Sequence, residues 1–161
     1  MEELCGRPQN FGIRIQKNLA TMVAPQDTLI HLGDVIFYNY PSLKGILDSI
    51  PGRKILVRGN HDSKSNHWYM NNGFSYCADM IVQDNIIYSH RPTERLPSGV
   101  DYNIHGHFHN KTHRERPPWY DKNVHLLFVL EHHYRPIGLQ EFMAKHEKEI
   151  RKSSSKCPEG S

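Results

Sequence analysis

At 161 residues the chain suits one domain with a single core. Its net charge of +3, from 20 basic and 17 acidic residues, is too mild to argue for nucleic acid by itself. A mean hydropathy of -0.67 describes a polar chain, and no apolar run approaches the roughly 18 residues that a membrane-spanning helix needs. Met1 to Arg7 carry acidic charge and no apolar h-region, so no signal peptide is expected and the cytoplasm is the expected compartment. Cys5, Cys77 and Cys157 stand far apart without a CxxC pair, which argues against a disulfide framework and a thiolate zinc site. The unusual count is histidine, at 12, a residue suited to proton transfer and metal ligation near neutral pH.

In chain order, Gln16 to Ala24 is a helical candidate, followed by a strand over Thr28 to Leu32 that runs into Gly33-Asp34. Pro41 to Ser49 reads as a short helix with proline near its start. A strand over Lys54 to Arg58 runs into Gly59-Asn60-His61-Asp62, and Asn66 to Asn72 is a further helical candidate. Asn85 to Ser89 leads into His90, and Tyr102 to His105 leads into Gly106-His107-Phe108-His109. Val124 to Leu130 is a last strand before Glu131-His132-His133. Leu139 to Arg151 alternates apolar and charged residues at helical spacing, and Lys152 to Ser161 has the composition of a disordered tail. The expected organisation is a domain over 1–151 and a tail over 152–161, in an α/β class with a mixed sheet or two packed sheets flanked by helices.

Polar clusters thus stand at the exits of successive strands, where open α/β sheets bind ligands. Asp34, Asn60, His90, His107 and His109 together offer one carboxylate, one amide and three imidazoles. Oxygen and imidazole donors without sulfur suit Mn, Fe, Zn or Ni. A carboxylate can bridge two cations, and two cations roughly 3.5–4 Å apart can clamp a phosphoryl displacement and make hydroxide available at neutral pH. His61 follows Asn60 and would face the same cleft, where an imidazole can protonate a leaving oxygen.

Each residue also has a plainer reading. Asp34 alone suits a turn or a helix cap, and Asn60 suits a loop position with left-handed backbone. His31 reads as a strand histidine satisfied by its neighbours, and His105, His113, His132 and His133 as surface residues or as groups that orient a ligand. Arg58 and Arg91 suit exposed salt bridges, with phosphate as the alternative. The aromatic residues Tyr38, Tyr40, Trp68, Tyr69, Phe108, Trp119 and Tyr120 suit core or rim, or a pocket that stacks a base. Lys111 to Arg116 reads as a solvated loop, or as a guide for an anionic substrate.

Gly33-Asp34, Gly59-Asn60-His61-Asp62, Ser89-His90 and Gly106-His107-Phe108-His109 stand in the order found in the calcineurin-like metallophosphoesterases, which the chain resembles over about residues 5–142. Cys5-Gly-Arg-Pro8, Asp27 to Asp34 and Tyr134 to Phe142 resemble the small bacterial and phage members. The resemblance implies a four-layer αββα sandwich with its site at the strand ends. It implies that Asp34 bridges two metals, that Asn60, His90 and His107 complete one of them, and that His109 ligates the other. His61 would be the acid or transition-state contact. The family's opening strand ending in Asp-x-His, which gives two more ligands to the metal of His109, has no counterpart here. Three explanations stand side by side: a longer natural protein, a short form using one metal or borrowing His31, His105 or His113, and a binding module that has lost catalysis. A missing strand would also favour self-association through an unpaired edge. The reading is a phosphoesterase that cleaves a phosphodiester or phosphomonoester through a metal-activated hydroxide, with one or two ions, Mn²⁺ first. The substrate would be a phosphate ester such as a nucleotide or a nucleic-acid end. The alternative is a truncated or catalytically weak metal- or nucleotide-binding module of the same fold.

Overall fold

The computed structural model describes residues 10–35, 43–108, 116–130 and 134–154. Three parallel strands form the first sheet, in the order β1 (Thr28–His31), β2 (Arg53–Val57), β3 (Tyr76–Ala78). Four strands form the second, in the order β4 (Met80–Gln83), β5 (Ile86–Ser89), β6 (Tyr102–His105), β7 (His125–Leu127). β4 and β5 are an antiparallel hairpin, while β5, β6 and β7 run parallel. The helices are α1 (Phe11–Met22), α2 (Leu43–Asp48), α3 (Asn66–Asn71) and α4 (Leu139–Ser154). Two sheets flanked by helices are the expected architecture. Among the described residues no helix is long and apolar enough to cross a membrane.

The period-2 alternation of strands divides the apolar residues between two cores. Leu29 and Leu56 join Leu43, Leu47, Tyr69 and Phe74 in a core between the first sheet and its helices. Their neighbours in sequence, Ile30 and Val57, point the other way. They meet Ile86, Tyr88, Ile104 and Leu126 in a core between the sheets, which Phe142 and Met143 of α4 also cover. Each fully buried side chain of this kind contributes about 1.5–3 kcal/mol, so the inter-sheet core is what holds the two sheets in one register.

The structure differs from the expected elements in four places. β3 and β4 lie where no strand is expected: Asp79 interrupts the run over 76–83, and Tyr76, Met80 and Val82 face outward. A two-residue turn links Gln83 to Ile86, with Asp84 in left-handed backbone (φ 54°) as such hairpin turns require. β7 stops at Leu127, not Leu130, because its partner β6 turns away at Gly106, leaving Phe128 N–H to His105 O as the last rung. α1 starts at Phe11, before Gln16, and α4 continues to Ser154, into the expected tail; residues 155–161 lie outside the described ones.

Candidate metal centre

The inward-facing rows lead to the site. On β1 the row Ile30, Leu32 continues to Asp34, and on β5 the row Ile86, Tyr88 continues to His90. Residues two apart share a face within a strand, so the rows that fill the inter-sheet core run up to the loops that carry Asp34 and His90 at its mouth. The backbone turns sharply there: Gly33 (φ 91°), Asp34 (φ 56°) and His107 (φ 67°) are all left-handed. Two non-glycine residues in that region at one site is the kind of strain that clusters where function requires a fixed geometry. Asn60, for which left-handed backbone is the plainer reading, is not among the positive-φ residues.

Glycine is required at two of these turns. A Cβ on Gly33 would lie 2.7 Å from His90 Nδ1 and 2.5 Å from the Gly59 nitrogen, and one on Gly59 would overlap the Asp34 carboxylate. The two loops are thus in backbone contact, and the buried Asp62 carboxylate ties them. Its Oδ2 accepts from Asp34 N–H and Gly59 N–H, each at 2.8 Å, and its Oδ1 from Val35 N–H at 3.0 Å. A carboxylate collecting three amides fixes both loops at once. The sequence alone assigns Asp62 no task of its own; its only signal is its place after Asn60-His61.

His90 stands at the centre of the convergence. Its Nδ1 lies 2.7 Å from Leu32 O. A carbonyl can only accept, so the ring donates there and its single neutral-state proton is on Nδ1. The Nε2 lone pair then faces three electron-rich atoms: His107 Nδ1 at 3.0 Å, Asn60 Oδ1 at 3.1 Å and Asp34 Oδ2 at 3.4 Å. The His90 side chain is only 7% exposed and that of Asp34 15%, so water screens this convergence poorly. A second proton on the ring would serve one of the three atoms. A cation at the centre serves all four, and a mixed oxygen–imidazole set suits a borderline divalent metal. Asp34, His90 and His107 form the group, among the described residues, whose donor atoms lie within 4.8 Å of one another. Gly106 N–H donates to His90 O at 3.2 Å, which ties the loops of His90 and His107 directly.

Four of the five expected ligands, Asp34, Asn60, His90 and His107, are therefore brought together. His109 lies outside the described residues, as do His113, His132, His133, Tyr38, Tyr40 and the stretch from Lys111 to Glu115. His61 is exposed at the rim, and its backbone N–H donates to Asp34 Oδ1 at 3.0 Å, leaving Oδ2 turned toward His90. Arg58 binds one Asp79 oxygen through Nη2 and Nε at 2.6 and 2.9 Å, the salt-bridge alternative. His31 accepts from Gly33 N–H at 3.2 Å; burial lowers its pKa against the pull of Asp62 and Asp34. His105 is fully buried, and desolvation lowers its pKa to about 4 although the Gly106 carbonyl it donates to works the other way.

No curated protein matches the chain. A crystal structure of a protein of unknown function from Aquifex aeolicus is similar, at 30% identity and a TM-score of 0.62, over 94% of this chain and 90% of that one. The calcineurin-like phosphoesterase family matches residues 12–154, a span that holds every described strand and the four converging donors. By that match the chain belongs to the calcineurin-like phosphoesterase family.

Proposed function

We propose that the chain hydrolyses phosphate esters with a divalent cation held by Asp34, Asn60, His90 and His107. The observation that carries this reading is the His90 Nε2 lone pair, its proton fixed on the opposite nitrogen, facing three further donor atoms at 3.0–3.4 Å. When bound, such a cation acidifies water and offsets charge on the phosphoryl oxygens. The chain's own residues set the stage. Leu32 O selects the His90 tautomer, Asp62 fixes the Asp34 and Gly59 loops, and His61 at the exposed rim protonates the leaving oxygen. Mn²⁺ is the cation of choice, and Fe, Zn and Ni share the donor preference; Asp34 and His109 would hold a second ion. The substrate class is a phosphodiester or phosphomonoester such as a nucleotide or a nucleic-acid end.

The test is turnover of bis(4-nitrophenyl) phosphate with Mn²⁺. Replacing His90 with alanine is expected to lower kcat/KM by more than about a hundredfold, beyond what losing an outer-shell partner costs. His61→Ala is expected to lower kcat by about a hundredfold or more while Mn²⁺ affinity stays at the parent value. A parent chain that binds Mn²⁺ and turns nothing over would overturn the hydrolase and leave the binding module.

A further inference from the structure

The face of the second sheet that looks away from the inter-sheet core is buried yet polar. Ser89, Asn103, His105 and His125 are between 0% and 5% exposed. Asn103 sits in the middle strand with no exposed surface, where an apolar side chain would be the ordinary occupant. A buried amide is costly without partners, and here the partners are specific. Asn103 Nδ2 donates to Ser89 Oγ at 2.8 Å and Ile87 O at 3.1 Å, and Asn103 Oδ1 accepts from Thr93 N–H at 2.9 Å. Ser89 Oγ donates to Arg91 O at 2.6 Å. From β7, His125 Nε2 donates to Thr93 O at 3.0 Å, while its Nδ1 accepts from Asp121 N–H at 3.1 Å.

These bonds converge on the backbone of residues 91–93, the segment that leaves the sheet immediately after His90. One side chain from each of β5, β6 and β7 holds it: Ser89 at Arg91 O, Asn103 at Thr93 N–H and His125 at Thr93 O. The Thr93 hydroxyl is buried with no hydrogen-bond partner, so the backbone, not the side chain, is what is gripped. His90 is thereby fixed from both sides: its ring by Leu32 O and its outgoing chain by the polar clasp.

We infer that Asn103 is a positioning residue for the metal centre, acting with Ser89 and His125 to hold the turn after β5 so that His90 Nε2 meets the donors of the other loops. The inference rests on the metal-centre reading of the proposed function and adds to it a residue outside the strand-exit motifs. Asn103 touches none of the donor atoms, so its effect is on ligand geometry.

The experiment is a Co²⁺ titration of the full chain followed by visible absorption, with thermal unfolding of the metal-free protein alongside. For Asn103→Leu the expected dissociation constant is tenfold or more above the parent value, the range for an outer-shell partner, with altered d–d bands. The milder Ser89→Ala is expected to weaken binding several-fold, and it decides alone if Asn103→Leu does not fold. The control is Leu47→Ala, which destabilises the other core and is expected to bind Co²⁺ like the parent. Parent-like affinity and spectrum in both clasp variants would overturn the inference and leave the metal centre standing. Equal loss in the Leu47 variant would overturn it as mere destabilisation. A parent that shows no Co²⁺ bands would overturn the metal centre itself, and the inference with it.

Discussion

The two faces of the second sheet use the same strands for opposite tasks. Toward the first sheet, Ile86, Tyr88, Ile104 and Leu126 form an apolar contact, held by a non-directional force that tolerates small shifts. On the other face Ser89, Asn103, His105 and His125 are as deeply buried but held by oriented bonds, each of which fixes a particular loop atom. Stability therefore resides mainly on one face and loop geometry on the other. The candidate metal centre sits at the strand exits, where it draws on both.

The largest effect is expected on the apolar face. Leu126 is 1% exposed, and Leu126→Ala should lower unfolding free energy by about 3 kcal/mol, from lost transfer energy and the cavity left behind. Urea unfolding measures it, and Mn²⁺ affinity of the folded variant should remain at the parent value. A large change in metal affinity would break the division of labour between the faces.

The polar face should reveal itself through pH. His105 keeps its neutral form down to about 4, chiefly because burial disfavours the charged ring. The unfolded chain takes up that proton near 6.5. In the interval the unfolded state binds more protons, so this contribution is intact above about pH 6.5 and is lost as pH falls toward 4. The loss amounts to roughly 2–3 kcal/mol, and His31, also lowered by burial, adds in the same direction. In a His105→Gln variant, stability measured between pH 7 and 4 should fall less steeply than in the parent. Identical slopes would remove His105 as the cause.

How much of this was legible in the sequence follows from chemistry. Asp34, Asn60, His90 and His107 stood out because each ends an apolar run and three of the exits carry a glycine, two of which the close loop packing turns out to require. Asp62 and Asn103 were not legible as supports, since a carboxylate or an amide shows its partners only when distant loops meet; Asp62 reaches from 62 back to 34. The edge strands β3 and β4 escaped because Asp79 splits them and their apolar side chains Tyr76, Met80 and Val82 face outward. The inward rows were readable throughout, and they are what places the site.

The smallest effect expected is at Tyr120, and it bears on how protons are shared over the polar face. His105 Nδ1 lies 2.9 Å from Gly106 O, a group that can only accept, so the neutral ring keeps its proton there and Nε2 is an acceptor. The Tyr120 hydroxyl lies 2.9 Å from that Nε2 and 2.9 Å from His125 O. It has one proton for two acceptors, and burial, which raises its pKa, keeps that proton in place. Tyr120→Phe therefore removes one neutral hydrogen bond, not two, and should cost about 1 kcal/mol at pH 7 by urea unfolding. A cost above about 2.5 kcal/mol would mean that both bonds are made, which requires a proton on His105 Nε2 that it donates to the Tyr120 oxygen. That outcome would overturn the placing of the His105 proton on Nδ1 and the acceptor role of its Nε2.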